Sequence, residues 1–396
     1  MVDGMPLIKI VNSKLIVEEP EEISKLSSAF IGRIEGGKLV LKPEEALYLM
    51  DMRNFECIDE KNNKLGFNDV ALMFIKDNPK LFAFYNAYRN WRDRGLFIMR
   101  LKKDTSYGKR KIAKYPSKKV SFPKLNQVVV YYPFDMFAVS EKNTTFMKLF
   151  ADFWFGQLGV YKQHERGKTV KFDIFETLFL LKHCGIRVRN AESGTLIEFE
   201  ELMKLAMKNK KDLKALYEVY EDWRLRGFVV KTGYKFGSHF RIYFPGVSPV
   251  RKDKWIHSKH VLHVFPKYER LIISEWARAV RVAHSVRKTF ILGIPGMKEE
   301  DYVKDLHLDF VAYHRENGMT ITPTSGDPSF VILSLSEDET IGGAELATAL
   351  KEAEKVGLDL LLAVTDRETD VTYYLTRKID LPGSKYEYYE IEWIQP

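Results

Sequence analysis

The stretch FAFYNAYRNWRDRG at residues 82–95 returns as KALYEVYEDWRLRG at 214–227. The constant offset of 132 keeps Ala83/Ala215, Tyr85/Tyr217, Tyr88/Tyr220, Trp91/Trp223, Arg94/Arg226 and Gly95/Gly227. PEEALYLM (43–50) returns as IFETLFLL (174–181) at an offset of 131. A second repeat, at an offset of 70, pairs HFRIY (239–243) with DFVAY (309–313) and VLHVF (261–265) with VILSL (331–335). It continues from SEWARAVRVAHSVRKTFILGI (274–294) into AELATALKEAEKVGLDLLLAV (344–364). Apolar periodicity alone does not hold a gapless register over such lengths, so the chain reads as duplicated units. Three modules follow: an N-terminal copy of the first half at 1–112, a central unit with both halves at 119–296, and a C-terminal copy of the second half at 297–396. AKYPSKKVSFPK, with two prolines and four lysines, is the natural linker before the centre.

Each module reads as mixed α/β. Leu213, Leu216, Tyr217, Tyr220 and Trp223 recur at helical spacing, and Gly227 is placed to stop that helix before the strand FVVK. YKFGSHFRIYF and VLHVF read as strands, and ISEWARAVRVAHSVRK as a helix feeding the buried strand TFILGI. No run of about 18 apolar residues appears, and MVDGMPLIKI lacks the pattern of a signal peptide, so a soluble cytoplasmic protein is expected. Cys57 and Cys184 are the only cysteines, which excludes a disulfide framework. The net charge of +8 permits a polyanionic partner, and basic residues crowd 102–119 and 161–171 while the last hundred residues carry acidic runs.

A duplicated fold needs its core in both copies, whereas catalysis needs its reactive residues in only one. Subtracting the offset of 70 sets His257 against Asp327, Arg281 against Lys351, His284 against Glu354, Arg287 against Gly357 and Lys288 against Leu358. The C-terminal copy has lost a histidine and a lysine. On a helix from Ser274 to Lys288, Trp276, Ala279, Val280, Ala283 and Val286 form the apolar stripe, and Arg281, His284, Ser285 and Lys288 a separate cationic face. Arg287 and Lys288 also suit the negative end of a helix dipole. No HExxH, P-loop or GxSxG motif occurs, and the nine histidines do not cluster with carboxylates at metal-ligand spacing. His260 and His263 are expected to be one exposed and one packed.

KTGYKFGSHFRIY, then IHSKHVLHVF, then RAVRVAHSVRKTFILGI, with YEDWRLRGFVV before them, resembles the catalytic domain of the tRNA-splicing endonucleases. The outer modules resemble partial copies of the same family, as in its archaeal three-unit epsilon form, a homodimer. The resemblance implies a metal-independent, cofactor-free RNA endonuclease that cleaves precursor tRNA at bulge-helix-bulge junctions. Its products are a 2′,3′-cyclic phosphate and a 5′-hydroxyl. Tyr243, His257 and Lys288 match the family's catalytic trio as base, acid and electrostatic stabiliser. A phenol is a poor base at neutral pH unless cations assist it, a part for Lys288 and the Arg281 face. Tyr234 is read as a turn or packing residue, and the stretch between Tyr243 and His257 is longer than usual for the family. Arg281 matches one of two arginines that pinch a bulged base; the second has no match in the closing strand, and Lys304 or a residue from another module is the candidate substitute.

Glu45 follows Gly32 by 13 positions, whereas Glu176 follows Gly156 by 20, an excess of seven in the catalytic copy. The added stretch brings Lys162, His164, Arg166 and Lys168, expected to contact RNA phosphates. The resemblance also implies a homodimer through the C-terminal module, with YEYYEIEWI (386–394) pairing across subunits and the acidic hairpin of Asp366, Glu368 and Asp370 docking in a partner. Alternatives are a non-catalytic RNA-binding subunit and a metal-dependent DNA nuclease.

Overall fold

The computed structural model describes residues 5–108, 112–159, 166–234, 237–250 and 256–396. It is mixed α/β. The first repeat builds two six-stranded sheets of one topology. Arg33–Glu35, Lys38–Leu41, Lys14–Val17, Leu7–Val11, Glu56–Ile58 and Lys64–Leu65 lie side by side in that order. Gln157–Leu158, Thr169–Asp173, Phe137–Glu141, Val128–Tyr132, Arg187–Asn190 and Leu196–Ile197 repeat it. The aromatic repeat forms the helices Leu81–Asp93 and Leu213–Leu225, which bury Trp91 and Trp223 completely.

The second repeat builds one large sheet. Its path runs from Val229–Thr232 through Phe240–Tyr243, His260–Val264 and Thr289–Ile294 to Glu387–Ile394. It continues through Val371–Asp380, Asp359–Thr365, Phe330–Ser336 and Phe310–Tyr313 to Phe97–Arg100. Both offsets survive in its register: Val229 pairs with Tyr243 and Phe97 with Tyr313, while His260 pairs with Thr289 and Phe330 with Asp359. The last of the first-half strands in the N-terminal copy therefore joins the C-terminal copy, and one apolar core unites residues from Ile8–Ile98 with residues from Phe310–Leu375. The two outer pieces make a second complete unit beside the central one.

The closing hairpin differs from the expected arrangement. Glu387–Ile394 pairs with Thr289–Ile294 on one side and Val371–Asp380 on the other, both in its own chain, so neither edge is open to a second subunit. The physical reason is that the central half ends at Ile294 without a closing strand, and the end of the chain supplies one. Tyr388 is sealed into this seam: its ring lies edge-on to Trp223 with centroids 5.2 Å apart, and its hydroxyl donates to Asp222 at 2.8 Å. The acidic hairpin is tied down from its own chain at one end, where Arg89 donates to the Thr369 carbonyl at 2.9 Å, while its tip from Arg367 to Thr369 stays exposed.

The proline- and lysine-bearing linker is docked rather than free. Ala113–Lys114 adds to Val371–Asp380, Tyr115 is buried with its hydroxyl donating to Glu390, and Lys118 N–H donates to the Arg226 carbonyl at 2.8 Å. No helix among the described residues is long and apolar enough to cross a membrane.

Candidate active site

Tyr243 closes its strand one residue after Ile242, which pairs with His260; His260 in turn pairs with Thr289, one residue after Lys288. The end of one strand and the starts of two others thus meet at one edge of the sheet. His257 and Ser258 enter the second strand there, and Lys288 enters the third. The Lys288 ammonium donates to both the carbonyl and the hydroxyl of Ser258, the latter at 3.0 Å. Ser258 is buried, so it clamps Lys288 beside the exposed His257. Burial, and then the nearby charge of Arg241, hold the Lys288 ammonium below its ordinary pKa. Arg241 lies two residues before Tyr243, and its Nε donates to the Thr232 carbonyl at 2.8 Å. Tyr243 is only 5% exposed, and its ring packs against Trp154 with centroids 4.8 Å apart and planes inclined by 44°.

The helix feeding this site is shorter than the sequence pattern predicts. It spans Ile273–Ser285, after which Arg287 takes a left-handed backbone with φ of 54° and Lys288 N–H donates back to the Ala283 carbonyl. This turn swings Lys288 inward to Ser258 and leaves Val286 exposed, so Lys288 is not on the helix's cationic face and Val286 is not in its apolar stripe. Arg281 stays on the helix and reaches Tyr374 of the C-terminal copy, donating to its hydroxyl at 3.2 Å. His284 lies edge-on to Trp393.

His260 and His263 also depart from expectation, since neither is exposed. His260 stacks on Phe244 with centroids 4.8 Å apart, and His263 on His239 at 4.3 Å. Burial first, with neighbouring positive charge at His260, pushes both imidazoles down to about 4. They are neutral packing groups of the sheet. Tyr234 projects from its turn at 92% exposure. Among the described residues, no three His, Cys, Asp or Glu side chains converge in a way that could hold a metal ion.

The added loop is visible at its base. In the N-terminal copy only Gly36 and Gly37 separate Arg33–Glu35 from Lys38–Leu41, whereas residues 159–168 separate Gln157–Leu158 from Thr169–Asp173. Arg166 and Lys168 are exposed, with their carbonyls accepting from the Nζ and backbone N–H of Lys142 at 3.2 and 2.8 Å. Lys162 and His164 lie outside the described residues.

The aligned edge of the second unit carries different chemistry. Tyr313 holds the place of Tyr243, but Asp327 and Leu358 hold those of His257 and Lys288. Leu358 is buried, and Tyr107 reaches this edge, its N–H donating to the Val356 carbonyl at 2.8 Å. Burial, then Tyr107 and the Asp327 charge, push Tyr313 up to about 12. Three residues of the central site were not singled out by motif: Arg241, Ser258 and Trp154. The repeats could have found them: the offset of 70 sets Arg241 and Ser258 against Val311 and Pro328, and the alignment of Gly156 with Gly32 sets Trp154 against Phe30.

Residues 213–305 match the family described as tRNA intron endonuclease, catalytic C-terminal domain, and residues 9–71 match its N-terminal domain. A tRNA-splicing endonuclease of Thermococcus gammatolerans is 38% identical over 140 residues, covering 34% of this chain and 78% of that protein. One of Methanopyrus kandleri is 36% identical over 140 residues, covering 35% of this chain and 74% of that protein. One of Pyrococcus furiosus is 29% identical over 170 residues, covering 43% and 90%.

Proposed function

The chain belongs to the tRNA-splicing endonuclease family, an endonuclease acting on introns of precursor tRNA, and from that premise we propose that its central unit carries the single working site. The observation that carries this reading is the meeting of Tyr243, His257 and Lys288 at one sheet edge, set against their partial loss in the second unit. Tyr243 takes the proton of the substrate's 2′-hydroxyl, and that oxygen attacks the adjacent phosphorus. As the phosphorus–5′-oxygen bond breaks, His257 gives its proton to the leaving oxygen. Lys288, held by Ser258 and flanked by Arg241, meets the charge gathering on the phosphorane. The ends are a 2′,3′-cyclic phosphate and a 5′-hydroxyl, and the chemistry needs no metal or cofactor.

Arg281 holds an unstacked base of the bulge-helix-bulge substrate, and Lys162, His164, Arg166 and Lys168 engage phosphates from the added loop. An intron has two ends and each chain one site, so two chains act together in the cytoplasm, in the manner of the epsilon form. The closed strand edges direct that contact to other surfaces, and the exposed acidic hairpin tip suits a basic cleft of the partner. Single-turnover cleavage of a bulge-helix-bulge RNA in chelator tests the reading. His257→Ala and Lys288→Ala should each lower the rate by about 100-fold or more with RNA affinity little changed. Magnesium-dependent cleavage, or a 3′-hydroxyl product end, refutes it.

A further inference from the structure

Helix Thr144–Phe153 of the central unit ends on Trp154, whose backbone is left-handed with φ of 51° and ψ of 44°. Bulky residues rarely adopt that conformation and persist there only when their surroundings impose it. Here three buried charged groups do so. Arg224 donates to the Phe153 carbonyl at 3.0 Å and lays its guanidinium 3.7 Å from the centre of the Phe155 ring. Glu176 accepts from Gly156 N–H at 3.0 Å, and Lys231, ion-paired to Glu176, donates to the Gly156 carbonyl at 2.9 Å. Residues 153, 155 and 156 are thus each fixed from the core. Trp154 is the residue between them that turns to the reaction edge, where its ring packs on Tyr243. The loop after Tyr243 is anchored to the same helix, as Ser248 donates to the Ala151 carbonyl at 2.7 Å.

The second unit repeats two of these three groups, with Met99 at the aligned place of Lys231. Phe30 is left-handed with φ of 55°, Arg92 donates to the Ala29 carbonyl at 2.6 Å, and Gly32 N–H donates to Glu45 at 3.2 Å. There the ring meets Phe97 edge-on, and the neighbouring tyrosine, Tyr313, has no imidazole or ammonium at the aligned positions. A phenylalanine therefore satisfies the fold, while the tryptophan occurs in the unit that keeps the reactive residues.

We propose that Trp154 is a positioning residue that fixes the Tyr243 ring for proton abstraction, a role that rests on Tyr243 acting as the base. A base displaced by a fraction of an ångström loses rate rather than affinity, because the near-attack geometry fails while binding contacts remain. The test is single-turnover cleavage by Trp154→Phe, Tyr243→Phe and the double variant, with thermal melting of each. Trp154→Phe, which matches the second unit, should melt near the parent. Its maximal single-turnover rate should fall about tenfold or more with the half-saturating enzyme concentration unchanged, and on the Tyr243→Phe background it should cost nothing further. A full rate for Trp154→Phe, or an equal penalty with and without Tyr243, overturns the positioning role. Full activity of Tyr243→Phe instead overturns the underlying assignment of the base. Should Trp154→Phe fail to fold, Trp154→Tyr carries the same comparison, and a full rate there overturns the role.

Discussion

Replacing Lys231 by methionine should destabilise the central unit in a manner that depends on pH. Lys231 is 9% exposed, and its ammonium faces the buried Glu176 carboxylate and the Gly156 carbonyl at 2.9 Å. Burial, then the charge of Glu176, push the neighbouring Asp173 carboxyl up to about 7, against the opposing pull of Lys231. Methionine keeps the length of the stem but removes the cation ion-paired to Glu176, while the buried Arg224 guanidinium stays on the Phe153 carbonyl. Breaking a buried pair from one side costs about 3–5 kcal/mol, because the partner charge is left uncompensated. A carboxyl raised in the folded state binds its proton more tightly there than in the unfolded chain. Its favourable contribution is therefore present at acid pH and lost as pH rises through 7. The deficit of Lys231→Met should accordingly be largest near pH 8 and shrink toward about 1–2 kcal/mol near pH 5, where a proton replaces the missing charge and only the bond to Gly156 and some packing are lost. Urea unfolding followed by tryptophan fluorescence at the two pH values measures it. The added change Glu176→Gln should recover most of the loss at pH 8. A deficit under about 1 kcal/mol at pH 8, or the same deficit at both pH values, refutes the reasoning.

Tyr388→Ala should cost about 3–5 kcal/mol, since it empties the seam against Trp223 and removes one of the donors to Asp222; a urea midpoint close to the parent's would show that the closing strand holds by its backbone alone. Burial of Glu221 is outweighed by hydrogen bonds from His183, Lys182 and Tyr217, which bring its carboxyl down to about 2. A depressed carboxyl stabilises above its unfolded pKa and loses that contribution as pH falls toward 2. Glu221→Gln should therefore cost about 1–2 kcal/mol at pH 7 and less below pH 4, as read by urea unfolding.

The fold was legible because duplication fixed it twice. The offsets of 132 and 70 together specify which residues pair, and Val229–Tyr243 and Phe97–Tyr313 obey both at once. The partner of each half was not legible. A repeat shows that two segments share a shape without showing which neighbour buries them. The N-terminal copy ends in a strand and the C-terminal copy starts with one, so Phe97–Arg100 meets Phe310–Tyr313 across more than two hundred residues. The same blindness hid the fate of the last strand. Its alternating aromatics mark an edge to be covered, and only the sheet shows that Thr289–Ile294 covers it.

Periodicity also misplaced one side chain of the proposed site, Lys288. Arg281, His284 and Lys288 share a face only if the helix continues through 288. It stops at Ser285, and the left-handed turn at Arg287 sends Lys288 into the sheet edge while Arg281 stays outside on Tyr374. The second unit has Gly357, with φ of 79°, at the place of Arg287, so the turn itself belongs to the fold and is made there by the residue that adopts it without strain. The central unit makes the same turn with an exposed arginine, at the cost of about 1 kcal/mol of backbone strain. The two units thus differ around the proposed site at three positions: arginine for glycine at 287, tryptophan for phenylalanine at 154, and a buried serine binding a lysine at 258. Trp154 packs on Tyr243 and Ser258 binds Lys288, while the second unit has Phe30, Pro328 and Gly357 at the three aligned positions.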